Sequence, residues 1–294
     1  MKILNFGSCN IDYTYFLDHI VVPGETTDST SLQVSCGGKG LNQSVAAAKA
    51  GQTVYHAGKI GQDGDILRQI LTNSGVDTSY LENCEEKSGH AIIQVANGGQ
   101  NCIILYPGAN YQIDKKFIDD VLCGFRCGDI LILQNEISCV PYIVERAYDL
   151  GLITVLNPAP FNEKITDINL NKINFLILNE IEAEELTQKK DPDAAIKSLL
   201  KKHPRLKIVL TLGAKGAIYS DNSQHIFQPA FSVNAVDTTG AGDTFIGFFI
   251  SEIAKGKSAE CALKTASAAS AIAVTKKGAA IAVPTYAEVL NFLK

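Results

Sequence analysis

Short, continuously apolar runs recur along the chain and alternate with segments of helical periodicity. The apolar runs predict buried strands at 130–133, 153–156, 175–178 and 208–211. The segments beside them predict helices at 140–150, 180–186 and 191–202. Strands without polar alternation are typical of parallel sheets with both faces covered. We therefore expect an α/β fold, a doubly wound and mostly parallel sheet flanked by helices, in a single domain over residues 1–294.

Two segments, at about 12–35 and 89–106, interrupt this alternation with strand composition. In the second, apolar positions at 91–95 and 101–105 flank Asn97-Gly98-Gly99, which predicts a hairpin with a glycine turn. A small β-sheet inserted into an α/β domain suggests a lid over a ligand site. Such a lid would exclude water from the reacting groups.

Polar residues stand at or just after the ends of the predicted strands. They are Asn10, Gln134, Glu136, Asn157, Asn179 and Thr211. In doubly wound sheets, ligands gather at the carboxyl ends of the strands, so this placement favours roles in ligand binding. Ordinary turn chemistry is the alternative for any single one of them.

The last third of the chain contains a glycine turn followed by an apolar helix predicted at 243–254. The turn reads Asp237-Thr238-Thr239-Gly240-Ala241-Gly242-Asp243. Its glycines let successive backbone N–H groups point at one spot, where the helix presents its positive dipole end, so we expect an anion site. A carboxylate beside an anion is unfavourable unless it serves a purpose, such as accepting a proton from a hydroxyl that attacks phosphorus. These features favour phosphoryl transfer with Asp243 as general base; helix capping by Asp243 is the alternative.

A second glycine cluster, Gly37-Gly38-Lys39-Gly40, leads into an alanine-rich helix that Gly51 ends. The cluster is not a Walker A loop, because Lys39 is followed by glycine instead of Ser or Thr. A dinucleotide fingerprint would need a third glycine where Gln43 stands. We expect a loop whose backbone approaches a ligand closely, with Lys39 and Asn42 as polar groups suited to a polyhydroxy compound.

Composition favours a cytoplasmic enzyme that acts on small molecules. The net charge of −5 gives no basic field for nucleic acid or anionic lipid. No apolar run reaches membrane-spanning length, and the first residues predict a strand and not a signal peptide. The eight cysteines include no CxxC pair, which predicts reduced and mostly buried thiols.

Taken together, these motifs resemble the PfkB family of ribokinase-like carbohydrate kinases nearly end to end. Eight motifs carry the resemblance in order: Gly7-Ser8-Cys9-Asn10-Ile11-Asp12, Pro23-Gly24-Glu25-Thr26, the GGKGLNQ segment, Asn157-Pro158-Ala159-Pro160, Asn179-Glu180-Ile181-Glu182-Ala183-Glu184, Thr211-Leu212-Gly213-Ala214-Lys215-Gly216, the DTTGAGDTF segment, and 271–279. One glycine motif would be weak support, whereas eight in the expected order make the resemblance specific.

The resemblance implies transfer of the γ-phosphoryl group of ATP to the 5-hydroxyl of D-ribose. It implies Asp243 as the base and the backbone of Gly240, Ala241 and Gly242 as the anion site. Around the sugar it places Asn10, Asp12, Gly38, Lys39, Asn42, Glu136 and Asp243. A relative acting on a 2-deoxy sugar is expected to replace Asn10 by an apolar residue, so its retention favours ribose. The lid sheets of two subunits are expected to pair in a homodimer.

For the cofactors, the resemblance implies ATP with Mg²⁺ and a monovalent cation, most often K⁺. The nucleotide positions are Asn179, Glu182, Thr211, Gly213, Gly216 and Ser267, with Glu182 organising Mg²⁺ through water. The cation positions are Asp237, Thr239, Ala273, Lys276 and Gly278. Ser267 stands where a histidine occurs in a relative, and Ala282 stands where a serine often supplies an oxygen. The alternatives are another sugar or a nucleoside as substrate, and a non-catalytic sugar-binding regulator.

Overall fold

The protein is described by a computed structural model that covers residues 1–294 and contains thirteen strands and nine α-helices. The strands are β1 (Ile3–Phe6), β2 (Asn10–Leu17), β3 (Ser31–Gly37), β4 (Val54–Ile60), β5 (Asp77–Asn83), β6 (Gly89–Ala96), β7 (Asn101–Tyr106), β8 (Ile130–Leu133), β9 (Ile153–Leu156), β10 (Phe175–Asn179), β11 (Lys207–Thr211), β12 (Gly216–Ser220) and β13 (His225–Pro229). The helices are α1 (Lys39–Lys49), α2 (Asp65–Asn73), α3 (Lys115–Leu122), α4 (Val140–Asp149), α5 (Glu180–Thr187), α6 (Pro192–Lys202), α7 (Ala241–Ala254), α8 (Ala259–Ala273) and α9 (Tyr286–Phe292).

The main sheet has nine strands in the order β13-β12-β11-β10-β9-β8-β1-β4-β5. The strands from β11 to β5 are all parallel, and β12 and β13 extend one edge as an antiparallel hairpin. The predicted α/β sheet is confirmed, together with its four strands and three helices. The strand order reverses between β1 and β8, which opens a crevice at their carboxyl ends.

Two apolar cores cover the two faces of the main sheet. On one face, α1, α2, α7, α8 and α9 pack against side chains such as Ile3 and Ile130. On the other face, α3 to α6 pack against the alternate residues, including Leu4 and Leu131. Burial on both sides explains why these strands are apolar throughout.

The lid is a separate four-stranded sheet in the order β3-β2-β6-β7. Both segments expected to form it do so, and β6 and β7 form the predicted hairpin, with Gly98 and Gly99 at φ of 98° and 85°. Strand β7 is exposed along its whole length.

Three expectations need correction. Helix α1 begins at Lys39, directly after Gly38 at φ 93°, so Lys39 and Asn42 belong to a helix and not to a loop. Helix α7 begins at Ala241, two residues earlier than predicted. The eight cysteines are free, but only Cys9 is buried, and the other seven are partly or fully exposed to solvent. No helix combines the length and the apolar character that crossing a bilayer requires.

Candidate active site

A cavity of about 260 Å³ lies at the carboxyl ends of the central strands, beside the start of α7. It is lined by Lys39, Asn157, Ala159, Ile177, Leu178, Asn179, Glu182, Thr211, Thr238, Gly240, Ala241, Gly242, Asp243 and Ile246. Eight residues predicted as site residues are therefore brought together here, from α1, β10, β11, α5 and α7. The cavity lies on the ligand-binding edge that the strand order predicts.

Asp243 lies in the first turn of α7 and is 8% exposed. One carboxylate oxygen, Oδ2, accepts a hydrogen bond from Asn42 Nδ2 at 3.0 Å. The other, Oδ1, accepts from Gln43 Nε2 at 2.9 Å. Two amides from α1 thus hold the carboxylate at the cavity wall, and neither is a cation that would neutralise it.

The start of α7 offers backbone donors that no protein group uses. The N–H of Ala241 donates to the Thr238 carbonyl at 3.2 Å, but those of Gly240, Gly242 and Asp243 have no acceptor within the chain. A Cβ added to Gly242 would meet no atom within 4 Å, so open space lies in front of this turn. Gly240 has φ 71°, which favours glycine. Free N–H groups at a helix N-terminus suit an anion such as a phosphoryl group.

The glycines at the start of α1 pack against the chain's own backbone. A Cβ on Gly38 would lie 2.9 Å from the Ser8 carbonyl oxygen, and one on Gly40 would lie 2.4 Å from the Ser8 N. These glycines bring the start of α1 against the segment after β1. The close backbone approach that the sequence predicts at these glycines is therefore made to that segment of the chain. The approach places Gly38 beside Asn10, since a Cβ on Gly38 would lie 3.0 Å from Asn10 N.

Glu136 joins the same two segments. Its Oε2 accepts from the Ser8 hydroxyl and, at 2.9 Å, from the Lys39 backbone N–H. Burial raises the pKa of Glu136, although the positive charge of Lys39 and these hydrogen bonds oppose the rise. Burial, together with the charge of Glu136, also raises the pKa of Asp12 to about 6. The predicted sugar-binding carboxylates therefore lie close enough to influence each other.

Lys39 is the cation among these acids. Burial by itself would lower its pKa, but the carboxylates of Asp243, Glu136 and Glu182 raise it above its usual value. Lys39 therefore stays protonated, and it supplies positive charge where a phosphoryl group would meet the free N–H groups.

Asn179 and Glu182 form a capping box at the start of α5. Glu182 accepts from Asn179 N and from Asn179 Nδ2, each at 3.0 Å, and its own N–H donates to Asn179 Oδ1 at 2.9 Å. Burial raises the pKa of Glu182. Each of its oxygens retains acceptor capacity, which suits a contact to Mg²⁺ through water.

Three predicted nucleotide residues lie outside the lining of this cavity. Gly213 and Gly216 bracket the turn between β11 and β12, and a Cβ on Gly216 would lie 2.1 Å from the Gln228 carbonyl oxygen. Close packing therefore accounts for Gly216 without a ligand. Ser267 is buried on α8, and the neighbouring Ser270 Oγ donates to the Ala241 carbonyl at 3.1 Å.

The predicted cation positions lie in the loop before α7, at the last residue of α8 and in the loop after α8, and Asp237 joins the two loops. Its Oδ1 accepts from Thr239 N at 2.9 Å, and its Oδ2 accepts from Gly278 N at 2.9 Å. Partial burial opposes ionisation, but these hydrogen bonds outweigh it and hold the pKa of Asp237 below its usual value. The carbonyls of Asp237, Thr239, Lys276 and Gly278 accept no hydrogen bond, while that of Ala273 accepts from Lys276 N at 3.0 Å. Free carbonyl oxygens fit a monovalent cation. No group of three or more His, Cys, Asp or Glu could hold a metal ion.

Sequence reasoning missed several residues that organise the site. Gln43 and Ser8 stand inside quoted motifs but were given no role. Asn110 was not singled out, although its side chain contacts both Cys9 and Asn10. The only sequence signal for Asn110 is that it is a polar residue following a glycine and an alanine after the lid hairpin.

A family model described as "pfkB family carbohydrate kinase" matches residues 1–286. The chain is similar to the ribokinase of Haemophilus influenzae, with 36% identity over 297 residues, which cover 98% of this chain and 97% of that protein. It is also similar to the deoxyribokinase of Salmonella typhi, with 33% identity over 303 residues, which cover 100% of this chain and 99% of that protein.

The fold is similar to that of the Arabidopsis thaliana ribokinase solved in complex with ribose and ATP. The TM-score is 0.88 at 29% identity, and the match covers 99% of this chain and 98% of that one. This chain therefore belongs to the PfkB family, and it is an ATP-using carbohydrate kinase.

Proposed function

We propose that this carbohydrate kinase is a ribokinase, which transfers the γ-phosphoryl group of ATP to the 5-hydroxyl of D-ribose. The observation that carries the proposal is the position of Asp243 beside the free N–H groups of Gly240 and Gly242, in one cavity. A base and an anion site at the same place are what attack by a hydroxyl on phosphorus requires.

The sugar is held by the residues that converge at the crevice between β1 and β8. The Oδ1 of Asn42 is buried and has no partner in the chain, so a sugar hydroxyl that donates to it would satisfy it. Asn10, Asp12, Gly38, Lys39 and Glu136 complete this site. Carboxylate and amide groups at this density can bind adjacent hydroxyls together.

The nucleotide lies along Asn179, Glu182 and Thr211, with Gly213, Gly216 and Ser267 toward its ribose and adenine. Glu182 would hold Mg²⁺ through water. When bound, Mg²⁺ supplies positive charge against the β- and γ-phosphates. Lys39 adds to that charge from the sugar side.

In the reaction, the oxygen of the 5-hydroxyl forms a bond to the γ-phosphorus while the bond from that phosphorus to the β,γ-bridging oxygen breaks. The hydroxyl proton passes to Asp243, and ADP leaves. The N–H groups of Gly240, Gly242 and Asp243 stabilise the charge of the transferring group, and that of Ala241 joins them only by leaving the Thr238 carbonyl. In a loose transition state the attacking hydroxyl loses its proton late. The position of Asp243 therefore matters more than its basicity.

A monovalent cation such as K⁺ is held by Asp237 and by the carbonyls of Thr239, Ala273, Lys276 and Gly278. Because Asp237 joins the loop before α7 to the loop after α8, a cation here would stabilise the turn that carries the anion site. Ala282 offers no side-chain oxygen to this site.

A kinase of the same family that acts on 2-deoxyribose is the second candidate. This candidate is supported by the 33% identity to a deoxyribokinase, which is close to the 36% identity to a ribokinase. Asn10 favours ribose, because its polar side chain can bind a hydroxyl that the deoxy sugar lacks.

The lid also supports a homodimer. Ile103, Ile104 and Leu105 on β7 are each more than half exposed, which is a costly arrangement for three consecutive apolar residues unless another surface covers them. Pairing of the lids of two subunits would cover them.

A coupled assay of ADP release across ribose, 2-deoxyribose, fructose, adenosine and pseudouridine tests the proposal. We expect the highest kcat/KM with ribose. A higher value with any other compound would replace ribose as the substrate, and no turnover with all five would favour a sugar-binding regulator.

A further inference from the structure

Four buried amide side chains form a continuous chain that ends on Asp243. Gln134 Nε2 donates to Asn5 Oδ1 at 3.0 Å and to Gln43 Oε1 at 2.7 Å. Gln43 Nε2 in turn donates to Asn157 Oδ1 at 3.2 Å and to Asp243 Oδ1 at 2.9 Å. The three residues that link Asp243 to the core, Gln43, Gln134 and Asn157, come from α1 and from the ends of β8 and β9. None of them is a charged group.

Backbone carbonyls at the two ends of this series of amides fix the direction in which each side-chain amide points. Asn5 Nδ2 donates to the Gly40 carbonyl at 2.8 Å, and Asn157 Nδ2 donates to the Ile177 carbonyl at 3.0 Å. Backbone carbonyls only accept, so Oδ1 of Asn5 and Oδ1 of Asn157 must face inward as acceptors. Gln134 must therefore donate toward Asn5.

The remaining orientations follow from the same rule. Because both hydrogens of Gln134 Nε2 are directed at oxygen atoms, Gln43 must present Oε1 to Gln134. Its Nε2 then faces Asn157 and Asp243 and can only donate. The cost of this arrangement is that Gln134 Oε1 stays buried without a partner. Reversing Gln43 would place oxygen against oxygen at Asn157 and Asp243, and nitrogen against nitrogen at Gln134.

We infer that Gln43 is a positioning residue for the catalytic carboxylate: it holds Oδ1 of Asp243 as a permanent acceptor and leaves Oδ2 to take the proton of the sugar hydroxyl. Oδ2 also accepts a hydrogen bond, from Asn42 Nδ2, but no second contact fixes the direction of that amide, because Asn42 Oδ1 has no partner in the chain. The inference rests on the proposed function, since it concerns the base of that reaction.

Replacing Gln43 by methionine tests the inference, because Gln43→Met keeps the length of the side chain and removes both hydrogen-bonding groups. We expect kcat with ribose to fall at least tenfold while the KM values for ribose and ATP change less than about threefold. Thr154→Val is the matched control: Thr154 is fully buried, its hydroxyl has no partner, and the change preserves its shape. We expect this control to retain the kcat of the wild type.

A second variant, Gln43→Glu, has a pH-dependent readout. Loss of packing alone would not produce this dependence on pH. When protonated, the new carboxyl group can accept from Gln134 and donate to Asp243, as Gln43 does. When ionised, it repels the Asp243 carboxylate. Asp243 shares its site with Lys39, on which the charges of Glu136 and Glu182 also act. These groups are the same in every variant, so we express each kcat as a ratio to the wild type at the same pH.

The ratio for Gln43→Glu should fall at least fivefold between pH 5.5 and pH 8, while the ratio for Gln43→Met stays constant. Circular dichroism of each variant over this range verifies that it remains folded. A Gln43→Met kcat within twofold of the wild type would overturn the inference, and so would a constant ratio for Gln43→Glu. If the wild type itself phosphorylates none of the sugars, the proposed function fails instead, which separates the two outcomes.

Discussion

The side-chain amide of Asn110 donates a hydrogen bond to Oδ1 of Asn10 at 2.8 Å. Asn110 is itself fixed, because its Oδ1 accepts from the Cys9 backbone N–H at 3.0 Å. A Cβ on Gly89 would lie 2.3 Å from Asn10 Oδ1, so only glycine at that position leaves room for the pair. The acceptor oxygen of Asn10 is thus occupied, and its free Nδ2 is the group that remains for a substrate.

This pairing predicts that Asn10 recognises the sugar as a donor. Asn10→Leu should lower kcat/KM for ribose roughly ten- to a hundredfold, as expected when a buried hydroxyl loses a partner worth about 1–3 kcal/mol, and lower that for 2-deoxyribose much less. Asn110→Ala should lower selectivity in the same direction but by a smaller factor. Steady-state kinetics with both sugars measures the effect.

Asn97→Ala serves as the control, since Asn97 donates to Asp18 at the exposed end of the lid and should leave selectivity unchanged. Equal losses for both sugars in Asn10→Leu would show that Asn10 does not read the 2-hydroxyl.

Asp12 predicts a pH dependence of sugar binding. Burial and the nearby Glu136 raise its pKa to about 6, so near pH 5 the carboxyl group is mostly protonated. The ionised form accepts hydrogen bonds from hydroxyls better, and the KM for ribose should therefore fall as pH rises from 5 to 7. Asp12→Asn should remove most of this dependence. A KM that changes equally with pH in both proteins would contradict the assignment.

His56 predicts a loss of stability in acid. It is fully buried between the Ser44 hydroxyl at 2.8 Å and Cys9 Sγ at 3.2 Å, and burial lowers its pKa from 6.5 to about 4. The neutral form is favoured in the folded state, so stability is complete above pH 6.5 and is lost as pH falls toward 4. The loss should reach about 3 kcal/mol.

Urea unfolding from pH 7 to pH 4 measures this loss, with His56→Gln as the comparison. The difference between the two proteins isolates His56 from the carboxyl groups, which titrate in both. A difference that stays constant with pH would mean that His56 can be protonated without cost.

The cation site predicts activation by K⁺. Turnover should rise when K⁺ replaces tetramethylammonium at constant ionic strength, and the gain should appear in kcat more than in the KM for the sugar. Asp237→Ala should abolish the response. Asp221→Ala is the control, because Asp221 binds the backbone of a comparable turn, between β12 and β13, which is not one of the two loops that Asp237 joins. Identical rates in the two salts would mean that Asp237 only caps its loop.

Local sequence signals were sufficient for much of this account. The apolar runs and the glycine turns predicted the sheet, the lid hairpin and the position of Asp243, because each depends on residues that are neighbours in sequence. The start of α1 at Lys39 was not predicted. It follows Gly38, which has a positive φ and packs against Ser8, a residue distant in sequence.

The series of hydrogen-bonded amides could not be predicted from local sequence signals, because its members are distant in sequence. Gln43 and Asp243 are 200 positions apart, and Gln134 is 91 positions from Gln43. Their contacts exist only after the strands have assembled, and an isolated glutamine in a helical segment carries no sign of its partners.

The role of Asp243 as the base in phosphoryl transfer is tested most directly with Asp243→Asn, which preserves the shape of the side chain and removes its ability to accept the proton. Asp191→Asn is the matched control, since Asp191 caps the start of α6 and accepts from Ala194 N at 2.8 Å. We predict that kcat for ribose falls at least about a hundredfold in Asp243→Asn, with ATP affinity nearly unchanged, and stays at the wild-type value in the control. Wild-type turnover by Asp243→Asn would contradict the account.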